Sequence, residues 1–176
     1  QESVLDTTYA VGLSSTSRLH DLFVTYEAMP PGVFRLGGAG MEMMWGVSAS
    51  PFGTAVVTAT DYGISGIGFA DAETTIEDAF NDLARRWPNA RFLRDDARIA
   101  PLAAPVFQPG QWHSERPIRI VLIGTDFEVQ VWEALLAIPL GQATTYNAIA
   151  QRIGRPNASR AVGAAVGKNP ISFVVP

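Results

Sequence analysis

Cysteine is missing from all 176 residues. That removes disulfides, thiolate metal ligands and a thiol nucleophile from the chain itself. Histidine is nearly missing too: His20 and His113 are far apart, with no carboxylate at ligand spacing, and read as ordinary surface or helix-face side chains rather than metal ligands. No apolar run comes near the roughly 18 residues a membrane span needs, so no membrane partner is expected. The opening QESVLDTTYA has no basic stretch ahead of an apolar one, so no secretory leader is read there.

What is present is ample for a core, with 47% hydrophobic residues, and the chain suits one or two compact domains. The net charge of -4 does not by itself suggest a nucleic-acid binder, but its distribution does. Residues 1–123 carry 14 acidic and 9 basic side chains, whereas 124–176 carry 3 and 4. After Glu133 every charge is positive: Arg152, Arg155, Arg160 and Lys168. A locally cationic surface can attract a polyanion on an acidic protein.

Along the chain, SVLDTTYAV ending at Gly12, followed by Leu19, Leu22 and Phe23 at helical spacing, predicts two short helices about a turn over the first 35 residues. MPPGVFRLGGAG reads as a linker. MEMMWGVSAS, GTAVVTAT and GISGIGFAD, separated by PFG and DYG, predict an antiparallel meander. Ile76, Phe80, Leu83 and Trp87 space an amphipathic helix stopped by Pro88, and PIRIVLIG a further strand. The neighbours Asp95 and Asp96 are expected in a solvated loop. No catalytic constellation is visible in this middle region.

The segment from Gly124 is denser in signals. Thr125 and Glu128 form a T-x-x-E capping box before a helix with Phe127, Val131, Leu135 and Ile138 on one face. Tyr146, Ile149, Ala150 and Ile153 space a second helix, with Gly154 as its C-cap. Asn157 is the expected N-cap of a third, ASRAVGAAVGK, again spelling helix-turn-helix. That third helix is almost bare, with Arg160 its one long side chain. Small residues permit close approach to a neighbouring helix. They equally permit approach to DNA, where an Arg can fill the gap left by an extruded base. NPISFVVP then reads as a buried strand.

These motifs, F-x-x-x-V-W-x-x-L-x-x-I-P-x-G, T-Y-x-x-I-A, I-G-x-P, R-A-V-G-x-A and a closing N-P strand, closely resemble the DNA-binding half of the methylated-DNA–protein-cysteine methyltransferases. The family pattern continues P-C-H-R, so the resemblance implies an acceptor Cys directly after Pro176 and an inactive chain without it. AVGLSSTSRLHDLFVTYEAMPPGVFR resembles the closing helix-turn-helix of an AraC-type regulator, and the combination resembles Ada-type regulators.

The resemblance implies an α+β fold in four parts. These are residues 1–35 as a helical half of an AraC-type domain, 36–40 as linker, 41–118 as a ribonuclease-H-like domain, and 119–176 as an incomplete winged-helix-like helix-turn-helix domain. It implies stoichiometric transfer of a methyl group from 6-O-methylguanine, and from 4-O-methylthymine, together with transcriptional control of the alkylation response. Tyr146 would press on the 3′ phosphate, Arg160 would replace the extruded base, and Asn169 would brace the active-site turn. Thr145, Ala158, Ala161, Gly163 and Lys168 would complete the DNA contact. Asn157 stands where many members have Lys.

No cofactor is implied, though a zinc-binding sensor domain could precede residue 1. The partners would be duplex DNA carrying alkylated guanine and promoter DNA, the state a monomer, the location the bacterial cytoplasm. A non-catalytic alkyltransferase-like lesion binder, and a purely transcriptional regulator, are the competing readings.

Overall fold

The computed structural model describes residues 24–28, 36–108, 117–139, 142–171 and 173–175. Both histidines, and the two helices expected before residue 24, lie outside the described residues.

A six-stranded sheet of order β1-β6-β4-β3-β2-β5 organises the chain. The meander is formed by β2 (Glu42–Ser50), β3 (Gly53–Thr60) and β4 (Gly63–Ala70), antiparallel as the alternation predicts. β5 (Arg91–Arg94) joins β2 in parallel, while β6 (Ile118–Leu122) runs parallel to both β4 and β1 (Val24–Ala28). Successive side chains in a strand point to opposite faces, and the core divides accordingly. Met44, Ala55, Val57 and Ile120 pack with Ile99, Ala103 and Val106 in the main cluster. On the other face Val56 packs with Ala79 and Leu83, and Met43 and Val121 pack with Trp87.

Two helices cover these faces. α1 (Ile76–Ala84) starts at Thr75, whose side chain accepts the Asp78 amide in a reciprocal capping box, and it ends at Arg85, short of the Pro88 expected to stop it. α2 (Asp96–Phe107) was not read from the sequence, which placed only the Asp95–Asp96 pair, in a loop. Its prolines, Pro101 and Pro105, each remove an intrahelical donor and normally argue against a helix interior. They lie four residues apart, on one side, and Pro101 is exposed, so the carbonyls they leave unpaired can be solvated. The Asp pair starts this helix rather than floating in solvent. Asp95 accepts the Arg98 amide at 3.0 Å as N-cap, and Asp96 accepts the Val47 amide at 3.0 Å and pairs with Arg94 at 3.1 Å. Gly46 allows the approach: a Cβ there would lie 2.8 Å from the Asp96 carboxylate and 3.0 Å from Ile99.

Three domain limits read from the sequence shift. Val24–Ala28, placed in a helical AraC-type unit, is an edge strand of this sheet, because its backbone pairs residue for residue with β6. Residues 36–40, expected as a linker, are turns held against the end of α1: Asn89 donates its amide to Gly37 and its side chain to Leu36. The boundary at 118/119 falls inside β6, which the sheet holds between β1 and β4.

After β6 come α3 (Asp126–Leu136), α4 (Tyr146–Arg152) and α5 (Ser159–Gly167). The predicted Thr125–Glu128 capping box opens α3. α4 ends at a turn whose Gly154 has φ +71°, a conformation glycine adopts without steric cost. α5 starts at Ala158, without a side-chain cap; Asn157, the expected cap, is exposed in the preceding turn. Trp132 of α3, fully buried, donates from Nε1 to the Ala165 carbonyl at 2.9 Å and so fixes α5 against α3.

Trp132→Phe should therefore lower unfolding free energy by about 1–3 kcal/mol, from lost packing and the lost indole hydrogen bond, the Ala165 carbonyl keeping the Lys168 amide at 3.2 Å. Urea denaturation measures this; a change below about 0.5 kcal/mol would mean the indole N–H holds nothing.

Candidate nucleic-acid interface

The helix-turn-helix predicted from Tyr146 onward is formed by α4 and α5. Ile149 and Ala150 of α4, and Val162 and Ala165 of α5, face the core. The turn is tied by the Arg155 amide to the Ala150 carbonyl at 2.8 Å, and by Ala158 to Arg155 at 2.9 Å. With the inner residues fixed, the outer face of α5 follows from helical periodicity. Arg160, Ala161, Ala164 and Gly167 are exposed along it, and Arg160 is the only long side chain of α5 that projects outward.

Tyr146 is the first residue of α4 and is 53% exposed, outside the core that Ile149 and Ala150 enter. Its ring lies over Gly163, where an added Cβ would be 3.1 Å from Cε2. Thr145, beside it, caps α4 by accepting the Ala148 amide at 3.1 Å, a structural task as well as a surface position. Arg152 and Arg155 are exposed on the same helix and its following turn. Thr145, Tyr146, Arg160, Ala161 and Gly163 are thus gathered on the helix-turn-helix. Ala158 is half-buried and contributes the N-terminal backbone of α5.

Two expected site residues have partners within the fold. Lys168, the C-cap of α5, pairs its ammonium with Glu128 at 3.0 Å. Asn169 holds the end of the chain from both sides of its amide group: Oδ1 accepts the Ile171 amide at 3.0 Å and Nδ2 donates to the Val175 carbonyl at 2.8 Å. This clasp explains why NPISFVVP is not the strand that was expected. Ile171 forms a single parallel bridge with Ile67, supported by the Ile67 amide donating to the Pro170 carbonyl at 2.7 Å. The chain then curls, with the Val174 and Val175 amides both directed to the Ile171 carbonyl at 3.3 and 3.0 Å. Phe173 sits at φ +82°, an uncommon conformation for a bulky side chain. Edge and tilted contacts to Phe52 and Phe107, with centroids at 5.6 and 5.4 Å, hold it there.

The sequence concealed four residues in long-range pairs. Glu128 was legible only as half of a capping box. It is in fact buried and shares its carboxylate between the Thr125 amide and hydroxyl, both at 3.0 Å, and Lys168. Burial works to raise the Glu128 pKa; the Thr125 and Lys168 hydrogen bonds and the Lys168 charge outweigh it and hold the carboxyl below its ordinary value. Arg86 donates to the Lys168 carbonyl from across the sheet half. Tyr26 of β1, whose hydroxyl bonds Glu133 of α3, is shifted upward first by burial and then by that carboxylate. Burial raises Glu133 as well, against the smaller opposing effect of the Tyr26 bond. No pattern of local spacing signals pairs 40 or more residues apart.

Similarity to known proteins agrees with this geometry. Residues 126–176 match the family model described as the DNA-binding domain of 6-O-methylguanine DNA methyltransferase. The inducible methylated-DNA–protein-cysteine methyltransferase of Bacillus subtilis is 35% identical over 115 residues, a stretch covering 64% of each chain. That of Methanosarcina barkeri is 33% identical over 135 residues, 76% of this chain and 79% of the relative. The crystal structure of Mycobacterium tuberculosis OGT in complex with DNA superposes with a TM-score of 0.53 at 27% identity, over 76% of this chain and 74% of that one. With a mixed α and β fold like that structure and a match spanning most of the archaeal relative, the chain belongs to the methylated-DNA–protein-cysteine methyltransferase family.

Proposed function

We propose that the intact protein repairs DNA by moving the methyl group of 6-O-methylguanine, and of 4-O-methylthymine, to a cysteine placed directly after Pro176. The observation that carries this reading is the outer face of α5, where Arg160 projects alone among Ala161, Ala164 and Gly167. Such a face can enter a groove closely, and its one guanidinium can occupy the space of an extruded nucleotide. Tyr146, exposed at the start of α4 and seated on Gly163, is suited to press on the phosphate 3′ of that nucleotide. Thr145, Ala158, Ala161 and Gly163 give the backbone its close contact with the duplex. Lys168 contributes charge at the edge of the interface while tied to Glu128.

In the transfer itself, a thiolate would attack the methyl carbon as the bond from that carbon to O6 breaks. The bond's electron pair would leave with the guanine, which then takes up a proton. The thioether is stable, so each molecule would act once and no cofactor is consumed. The clasp of Asn169 on Val175 supports this placement, because it fixes the chain direction immediately before the acceptor. We read the sheet half as ribonuclease-H-like. The segment before residue 24 is read as the end of an AraC-type domain that would bind promoter DNA in the bacterial cytoplasm. The sequence match over residues 10–35 supports that arrangement.

This chain has no cysteine, so labelled methylated duplex should leave no methyl group on it. Extending the reading frame past Pro176 gives the direct test. Cys-His-Arg there supports transfer, whereas Trp or Ala would make the protein a lesion binder.

In the full-length protein, Arg160→Ala should abolish the fluorescence rise of 2-aminopurine at the target position while weakening duplex affinity less than about tenfold. It should also leave the salt dependence almost unchanged. A salt slope reduced by about one, with flipping intact, would instead make Arg160 a phosphate contact. Gly163→Ala should separate folding from binding. Alanine favours a helix by up to about 1 kcal/mol, so the melting temperature should hold or rise. DNA affinity should nevertheless fall about three- to tenfold, because the new methyl displaces the Tyr146 ring by a few tenths of an ångström. Unaltered affinity would remove Tyr146 from the interface.

A further inference from the structure

Arg86 follows the end of α1, in the half of the molecule with no part in the helix-turn-helix. It is half-buried, and its Nη2 donates to the backbone carbonyl of Lys168. That carbonyl is at the C-terminal end of α5, where helix carbonyls lack amide partners and the helix dipole favours a cation. The Lys168 ammonium returns to Glu128 at 3.0 Å, and Glu128 is itself held by Thr125 at the start of α3. Burial works to lower the Arg86 pKa, and the charges of Glu128 and then Asp82 oppose it.

One peptide is therefore fixed from two sides: by Arg86 at the Lys168 carbonyl and by Glu128 through the Lys168 side chain. It is the peptide that immediately precedes Asn169. From there the clasp on Val175 and the bridge from Ile67 to Pro170 set the direction of everything that follows.

We infer that Arg86 is a positioning residue for methyl transfer, through which the sheet half sets the aim of the acceptor segment without touching DNA. The inference rests on the reading of Asn169–Val175 as the approach to the acceptor. Without the guanidinium, the end of α5 keeps Trp132 and Glu128 and stays folded, but the turn at Lys168 and Asn169 gains freedom. A misplacement of about 1 Å can cost about a hundredfold in rate, and partial loosening should cost less.

The test compares wild-type full-length protein with Arg86→Ala, Arg86→Lys and Arg86→Gln. Single-turnover transfer from labelled O6-methylguanine duplex at saturating protein gives the rate, and anisotropy on unmodified duplex gives affinity. Arg86→Ala should slow transfer about tenfold, with affinity within about twofold. Arg86→Lys, whose ammonium can reach the same carbonyl, should return to within about threefold of wild type. An unchanged rate, or rate and affinity falling together, overturns the inference.

Amide exchange on the present 176-residue chain gives an independent readout. Arg86→Gln should speed exchange at Ile171, Val174 and Val175 and leave Val56 and Val57 unaffected. Uniform acceleration would mean Arg86 merely stabilises the fold, and overturns it as well. Wild-type full-length protein that transfers nothing would count against the proposed function, while leaving the exchange result to decide whether Arg86 holds the turn.

Discussion

The placement of α5 depends on one buried indole. Trp132 fills the space beneath Gly124, where an added Cβ would lie 2.9 Å from its ring, and its N–H takes the Ala165 carbonyl. A ring of that size leaves α5 only one depth. The helix must then be built from small residues on its inner side to reach the indole, and Ala165 and Val162 are the residues buried there. Once α5 is fixed, its C-terminal end comes within reach of Glu128 and Arg86, and its outer face is set by rotation about the helix axis. The exposure of Arg160 and the seating of Tyr146 on Gly163 are consequences of the same contact. A bulkier α5 would lose both the internal fit and the bare outer surface.

The local grammar of the chain was legible wherever one signal had one structural solution. Thr125 and Glu128 cap α3 as their spacing requires, Gly154 takes the left-handed turn, and the three alternating runs pair as a meander. The failures occurred where a local signal was overruled from a distance. Residues 97–107 were left unread, and their two prolines disfavour a helix, yet an apolar face formed by Ile99, Ala103 and Val106 against the sheet outweighs the donors they remove. Val24–Ala28 has no turn or cap to announce it, and becomes a strand because β6 offers it an edge. The closing NPISFVVP has strand composition, but the Asn169 amide group captures both ends of it and makes a curl instead.

Charge follows the same division between local and distant. Counting residues placed four cations in the last segment, and the structure assigns them different tasks. Arg152, Arg155 and Arg160 are exposed on the helix-turn-helix, available to a polyanion. Lys168, itself still exposed, pairs with a carboxylate that has only 10% of its side chain exposed. A pair of this kind fixes geometry more than it adds stability, since the carboxylate's loss of water and the solvent screening of the exposed ammonium offset much of their attraction. Its geometric result is a constrained peptide just ahead of Asn169.

The sheet half, in which no catalytic cluster is formed among the described residues, bears directly on the end of the chain. It meets the end of α5 and the chain beyond at three kinds of contact: Arg86 to the Lys168 carbonyl, the Ile67 amide to the Pro170 carbonyl, and Phe52 with Phe107 against Phe173. Two of the three engage backbone carbonyls, so they constrain direction whatever side chains the segment bears. The third holds Phe173 at a positive φ that a bulky residue adopts only when its surroundings impose it. A helix-turn-helix alone could seat a duplex. In the transfer proposed above, presenting one atom of a following residue to one carbon of a base would need a second rigid body behind the chain, and the sheet with its two covering helices is placed to be that body.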